Sequence, residues 1–586
     1  MAVALTLVRM KVAILRHSGT GQRGQMMAAG GFLGLVLAAG TIYLATLGGD
    51  WLAAAYAVWM LGWIIGPVFS GGGDETLRPE FFSLLGLPPH RMAAGLLAAA
   101  FVGVAPAISL IALAGLAVGA TAAGGPAGGN VLVAVPAMVL QLAVFVLVSK
   151  VAVAVLGIAL RSRAGAVGAG VVNGAVLAFL GQAWVFAVAF GQGAAVPEFV
   201  RYLPSGWGLL AVRGHYWALG ALVVLIVLLL GAWAALLSRR AGASRPSTRG
   251  RRPVRAATAR EAVVAKELRT WSRDLVRTHQ LTFALAYGLF FAGAPLALGW
   301  IGLLPWAAPL FVVMAASMTA NMYGTDGTAL WLPLMTPGAT AADVRGRQQA
   351  WLVTVAPVAL ALAVVLTPLA DGPWPLVLAV TAAVLGGGAG LVPLISVYVL
   401  VPSIDPRNRG GNPLRTSEDD GALTGLAYLT IFLVALSAAP AAGVALAAGW
   451  WGVAVGLATG ALCFWGFGLL AERRLRAHGP ELLHLMRTGR RPDAGKPGSS
   501  FQLPDMPKAQ RAATVVCLSF GAIPLVPQGI IAAVMVSDGR LRHSWFLATY
   551  MPPGLRWPVA AGMVLLGLAM YGVGAWLPYR ARKRAR

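Results

Sequence analysis

Five ionisable side chains and one tryptophan fall within the nine-residue segment KELRTWSRD, residues 266–274: Lys266, Glu267, Arg269, Arg273 and Asp274, with Trp271 among them. The set contains no nucleophile with its base and no metal-ligand spacing. It offers ion pairing, hydrogen bonding to anionic oxygen, and an indole suited to an apolar–polar boundary. On a helix, Val264, Leu268, Trp271 and Leu275 fall at i, i+4, i+7 and i+11, an apolar stripe, while Arg269, Arg273 and Arg277 line another face. The N-terminal MAVALTLVRMKVAILRHSG has the same design, with Leu5, Val8, Val12 and Leu15 on the stripe and Arg9, Lys11 and Arg16 off it. Such a helix lies in a membrane interface, apolar side in lipid and basic side toward phosphate. It is read as a surface helix that also meets a partner, the plainer alternative being an anchor alone.

Other chemistry is thin. Cys463 and Cys517 both lie in apolar runs and form neither a disulfide framework nor a metal site. No phosphate-binding G-x-x-x-x-G-K-[ST] loop is present, and DAGKPGSS fails the pattern. The chain is therefore expected to hydrolyse no ATP itself and to bind no cofactor or metal. All 20 Asp and Glu and all seven His fall in loops or at the edges of apolar runs. Lys150, in FVLVSKVAVAVLGIALRSR, is the one cation expected within hydrocarbon. It either snorkels to the interface or lines a cavity for an anionic substrate. The acidic run RTSEDDG (Glu418, Asp419, Asp420) is the one candidate for a membrane-embedded, lipid-modifying enzyme, and its plainer reading is a solvated turn or helix start.

The elements that must carry these residues are membrane spans. Of 586 residues, 58% are hydrophobic and 11% charged, against about 25% charged in soluble domains. Apolar runs of roughly 20 residues, long enough for a bilayer core of about 30 Å, recur along the chain. The fold class is an all-α polytopic membrane protein of about fourteen spans: 26–48, 51–70, 93–120, 131–160, 165–192, 217–237, 281–300, 304–322, 351–370, 374–402, 421–447, 449–471, 512–536 and 558–578. With the N-terminus inside, 39 of the 45 Lys and Arg fall in inside segments and five outside. Inner loops carry that excess, so both termini are expected in the cytoplasm of a cell-membrane protein. The net charge of +25 is then a topology signal, and nucleic-acid binding is excluded as its explanation.

The chain repeats. Asp74 and Asp326 are offset by 252 residues, and Val104-Ala105-Pro106 and Val355-Ala356-Pro357 by 251. Each copy runs from Asp through Thr and apolar residues to Pro, then to basic residues before the next span. The organisation is a first six-span half with its amphipathic helix (1–237), a basic linker (238–262), a second half with its own helix (263–471), a cytoplasmic linker (472–511) and two added spans with a basic tail (512–586). Gly170–Gly174 and Gly386–Gly390 have the G-x-x-x-G spacing of close helix contacts.

The segments AKELRTWSRD, DETLRPEFFSLLGLPP and DGTALWLPLMTPGATAADVRGRQQA resemble the membrane subunits of type II ATP-binding-cassette (ABC) exporters of high-GC bacteria, over residues 1–471. The resemblance implies an elbow helix before the first span of each half and a coupling helix between its second and third spans. It also implies two separate ATPase subunits that hydrolyse ATP and drive alternating access. Docking would fall to Asp74, Glu75, Phe81, Phe82 and Leu85 in the first half, and to Asp326, Leu330, Trp331 and Leu334 in the second. Trp331 and Leu334 are expected on one helical face, and Trp271 to anchor its helix in lipid. GAAVPEFVRYLPSGWGLLAVRG (193–214) matches the family's outer re-entrant segment; the short link at 447–450 and the two added spans depart from its pattern. The alternative is a fourteen-span secondary transporter of the major facilitator type, whose D-R-x-G-R loop ADVRGRQ (342–348) resembles.

Overall fold

In the computed structural model, the described residues are all except 1, 18–21, 48–49, 70–88, 123–126, 160–161, 183–184, 186–195, 197, 243–255, 404–419, 490–505, 522, 538, 540–545 and 585–586. They are helical almost throughout, with no β-strand among them. Among the described residues, nine helices are long and apolar enough to cross a bilayer, or up to eleven when each of two bent pairs counts as one span. Three further apolar helices, Gly30–Thr46, Trp51–Gly66 and Gln528–Ser537, are shorter. The chain is thus a multi-pass helical protein, and the described residues account for nine to eleven of the fourteen expected spans at full length.

The first part opens with α1 (Ala2–His17), α2 (Gln22–Thr46) and α3 (Trp51–Phe69). A bent ascent follows: α4 (Pro89–Ala100), α5 (Val104–Leu113) and α6 (Gly115–Ala122). Then come α7 (Ala127–Ala159), α8 (Arg163–Gly181), α9 (Trp207–Val212) and α10 (Trp217–Gly242). The segment expected to re-enter the membrane is a 3-10 turn (Glu198–Tyr202) leading into the six-residue α9. Gln141 of α7 pins it: its Nε2 donates to Pro204 O at 3.0 Å, and Gly208 N donates to its Oε1 at 3.1 Å. Arg201 and Arg213 from either side of this segment share Asp50, between α2 and α3.

The second part consists of α11 (Ala259–Arg273), α12 (Leu275–Gly293), α13 (Ala307–Thr319), a 3-10 segment (Gly324–Leu330) and α14 (Trp331–Met335). It continues through α15 (Ala339–Leu369), α16 (Trp374–Tyr398), α17 (Asp420–Ser437), α18 (Ala439–Ala448) and α19 (Trp451–Thr488). A capping box starts α11: Thr258 Oγ1 accepts from Glu261 N at 3.2 Å, and Glu261 Oε2 accepts from Ala257 N at 2.8 Å. Asp274, with ψ 124°, ends α11 and caps α12 by accepting from Val276 N at 2.8 Å. The break cuts the expected stripe and basic row: Leu275 and Arg277 belong to a different helix from Val264, Leu268, Arg269 and Arg273.

The two parts meet where α8 lies along α12. Both glycines of the 170–174 pair face α12, and a Cβ on Gly174 would stand 2.4 Å from Phe283 O. Asn173 and His279 bond across at 3.2 Å, and Gln182 Nε2 donates to Phe291 O at 2.8 Å. The 386–390 pair of α16 lies against α19 in the same manner. These parts form one compact unit. A second unit is built from Pro492–Arg586, with α20 (Lys508–Phe520), a π-helical turn (Pro524–Ile531), α21 (Ala532–Ser537) and α22 (Pro553–Arg584).

α19 overturns one expected boundary. Residues 472–488, read as the start of a linker, continue the span as helix to Thr488. The helix breaks at His478, where φ is −125° and ψ 16°, just before Pro480; the 27 residues from Trp451 to Ala477 alone reach about 40 Å, beyond a hydrocarbon core of about 30 Å. Leu475, Leu482 and Leu485 of this extension are buried with Tyr323, Leu330 and Val344.

Candidate functional site

The most heavily charged interior point of the protein is Arg347, 1% exposed, one turn beyond Asp343 on α15. Its Nε meets Asp343 Oδ2 at 2.9 Å and its Nη1 meets Glu267 Oε1 of α11 at 3.0 Å. Its Nη2 pairs with Asp326 of the 3-10 segment. The guanidinium carbon lies 4.4 Å from the centre of the Tyr323 ring, and the Tyr323 hydroxyl donates to Asp343 Oδ2 at 2.8 Å. Lys266 closes the set from the rim, 3.1 Å from Asp326 Oδ2 and 3.2 Å from Glu267 Oε1. Arg277 lies alongside, its Nη2 donating to Thr325 Oγ1 at 3.2 Å and its guanidinium 5.2 Å from the Trp271 ring. Three carboxylates and three cations, drawn from α11, α12, the 3-10 segment and α15, thus converge.

Local chemistry explains how each is held. After α13 the chain is stapled to the end of α16: Asn321 Nδ2 donates to Val401 O at 2.8 Å, Val401 N returns a bond to Asn321 Oδ1 at 3.2 Å, and Tyr323 N donates to Ser396 Oγ at 2.8 Å. Gly327, at φ 59°, turns the chain so that Asp326 faces inward before α14 begins. On α15, consecutive residues address different neighbours. Arg345 Nη1 and Gln348 Nε2 donate to Phe464 O of α19 at 3.2 and 2.8 Å. Gly346 lets α11 close in, since a Cβ there would stand 2.6 Å from Val263 Cβ, and Arg347 enters the cluster. The ADVRGRQ motif is therefore a four-way brace within α15, where a loop was expected.

The structure gathers part of the expected set and disperses the rest. Glu267 and Asp326 join the cluster. Trp271, expected in lipid, is 8% exposed within the main apolar core, so it fixes α11 to the protein rather than to the bilayer. Arg269 is half-buried, Arg273 is exposed and Asp274 serves as the cap. Leu330 is 1% exposed and supports the segment from beneath. Trp331 and Leu334 do not share a face: Leu334 packs on Gly479 of α19, whereas Trp331, Leu332 and Met335 stand out, 52%, 58% and 74% exposed. Asp74, Glu75, Phe81, Phe82 and Leu85 lie outside the described residues, as do Glu418 and Asp419; Asp420 opens α17. Lys150 is half-buried on α7. Arg277, His279, Asp343 and Arg347 lie in the opening turns of two helices that qualify as spans, Leu275–Leu298 and Ala339–Leu369.

The first part holds a simpler counterpart. α1 packs on α4, where a Cβ on Gly95 would stand 2.6 Å from Leu7 Cδ1, and Lys11, 3% exposed, donates to Ala99 O at 2.8 Å. Gly95 and Gly346 are 251 residues apart, the offset of the Val-Ala-Pro pair; Leu7 and Val263, and Lys11 and Glu267, are 256 apart. The residues 251 positions before Asp343 and Arg347 are Met92 and Leu96. Arg347 and Asp343 entered the sequence reading only within the ADVRGRQ motif, although their i, i+4 spacing of opposite charge at the start of an apolar run signalled a pair. Comparison of the chain with protein-family models, with curated proteins and with solved structures finds no match.

Proposed function

We propose that the chain is the membrane subunit of a type II ABC exporter, set in the cell membrane with both termini in the cytoplasm and driven by two separate ATPase subunits. The observation that carries this reading is the Arg347 cluster. It ties an amphipathic helix preceding a half's first span (α11) to the segment that mounts an exposed aromatic knob (α14) and to that half's third span (α15). A push on α14 would thus move α11 and α15 together, which is what coupling ATP hydrolysis to a rocking half requires. The α1–α4 contact at the same repeat offset supports an equivalent arrangement in the first half. The chain supplies no phosphate loop, so hydrolysis belongs to the partner.

The test is reconstitution. Chain purified from its native membrane with its ATP-hydrolysing subunit is placed in proteoliposomes, and ATPase activity and transport are measured for wild type and Trp331→Ala. ATP-dependent transport that Trp331→Ala uncouples is the expected result; a chain that transports on a proton gradient without any ATPase overturns the reading. That outcome belongs to the alternative, a secondary transporter of the major facilitator type, which the buried Asp343 on α15 favours because such carriers use carboxylates within their spans.

A further inference from the structure

α19 carries a groove that the charge cluster does not use. Leu462, Phe467, Leu469 and Leu470 wall it, Gly466 lies between them, and Arg473 stands at one end. Its volume is about 410 Å³, at the low end of the cavities that hold small ligands, about 300–1,000 Å³. Gly466 makes the gap, since a Cβ there would meet nothing within 4 Å. Leu462, Gly466, Leu469, Leu470 and Arg473 follow helical spacing along one face, so the groove runs along the helix axis. Its depth follows from length. Trp450 and Trp451, 64% and 72% exposed, mark one membrane boundary. Arg473 lies 22 residues beyond Trp451, about 33 Å along the axis, enough to cross a hydrocarbon core of about 30 Å. Leu462 is halfway, so the groove lies within one leaflet and Arg473 stands at the headgroups of that leaflet.

Charge at that end is unbalanced. Glu472 is taken by Arg476, whose Nε also donates to Thr340 Oγ1 at 3.1 Å. Arg473 is exposed and pairs with no carboxylate among the described residues. Arg474 holds its guanidinium 5.1 Å from the Tyr398 ring, and its buried Nε has no hydrogen-bond partner. We infer that the groove seats an acyl chain of an anionic phospholipid, with the headgroup phosphate on Arg473. A guanidinium fork matches phosphate oxygens in geometry as well as in charge. An apolar groove open to a bilayer accepts any acyl chain. The unpaired arginine at headgroup depth is what selects net negative lipid, because a zwitterionic headgroup already carries its own cation. A helix of this chain or of a second copy laid over the groove would instead bury that guanidinium unpaired, at a heavy desolvation cost. The inference needs the multi-pass character of the chain and is independent of the exporter reading.

The full chain, stripped of lipid in detergent, is titrated with dioleoyl phosphatidylglycerol or dioleoyl phosphatidylcholine, and binding of the first lipid is read by native mass spectrometry. Phosphatidylglycerol should bind about fivefold tighter, the attraction expected of one arginine at a headgroup. Arg473→Gln should abolish that preference and leave phosphatidylcholine binding unchanged, Arg473→Lys should keep most of it, and Arg487→Gln, outside the groove, should leave it intact. Gly466→Leu fills the gap and should weaken both lipids about tenfold, the worth of about two buried methylene groups. Inorganic phosphate should not displace the lipid, because it leaves the groove empty. A preference for phosphatidylglycerol that survives Arg473→Gln, or falls equally with Arg487→Gln, overturns the inference whether or not Gly466→Leu folds. Displacement by inorganic phosphate reduces the site to a headgroup contact and overturns the acyl groove. A Gly466→Leu chain that changes its oligomeric mass, or that loses thermal stability in lipid-free detergent, assigns the groove to a protein occupant and overturns the inference as well.

Discussion

Replacing Arg347 by Met tests whether the cluster holds the fold together at this end. The change keeps most of the side-chain volume and removes the one cation that touches all three carboxylates. Glu267 and Asp326 retain Lys266, which is 49% exposed and so screened by water. Asp343 keeps only the Tyr323 hydroxyl at 2.8 Å. Removing one partner of a buried pair costs about 3–5 kcal/mol, which raises a local opening equilibrium between about one hundredfold and several thousandfold. The assay is hydrogen exchange of the 259–273 and 324–335 peptides in nanodiscs, where slow amides report opening free energies. The cost should come from the stranded carboxylate rather than from lost packing. Asp343→Asn added to Arg347→Met should therefore recover most of the protection, because Asn still accepts from Tyr323. If the double variant exchanges as fast as Arg347→Met, or if Arg347→Met leaves both peptides protected, the electrostatic account is wrong.

Three further perturbations have distinct readouts. Lys11→Met removes the bond to Ala99 O and should speed exchange of the α1 peptide by about tenfold while α11 stays protected; equal acceleration of both would contradict their separate anchoring. Gly174→Ala places a methyl 2.4 Å from Phe283 O and should destabilise the α8–α12 seam by about 1–3 kcal/mol, seen as a lower inactivation temperature, whereas the same change at Gly168, which has nothing within 4 Å, should be silent. Gln141→Leu leaves Pro204 O and Gly208 N without their partner, costs about 1–3 kcal/mol, and should expose the 198–212 peptide to exchange more than Asp50→Asn does.

Part of this was legible in the sequence because its signals are local. Helical stripes placed α1 and α11 correctly, since 3.6-residue periodicity needs no knowledge of neighbours. Apolar run length located membrane helices but does not reveal where one bends. The α5 ascent kinks after Ala100 by 61°. Hydropathy also ended α19 at the Glu472-Arg473-Arg474 triplet, where the apolar run stops. The helix continues because Leu475, Leu482 and Leu485 find a core in the 3-10 segment and α14, and a partner contributed by residues more than a hundred positions away leaves no local trace.

The charge cluster was hidden for a related reason. Charged residues beside apolar runs read as solvated loop, and Glu267, Asp326, Asp343 and Arg347 are spread over eighty positions. Only the fold shows that each charge satisfies another. The α1–α4 contact is built differently, from Leu7 on Gly95 and from Lys11 on a carbonyl, with Met92 and Leu96 on the same helix as Gly95. An apolar contact of that kind sets no preferred angle, because each dispersion contact is individually weak and non-directional. The Arg347 guanidinium hydrogen-bonds Asp343 and Asp326 and pairs by charge with Glu267, fixing distance and angle at the first two, and dissecting it strands buried charge. α11, the 3-10 segment that leads into α14, and α15 are thus joined through Arg347 and Lys266, whereas α1 and α4 are joined by apolar contact and one lysine. Force applied at α14 reaches α15 through bonds that resist shear, so under the exporter reading the second half is the one positioned to transmit a stroke with little loss.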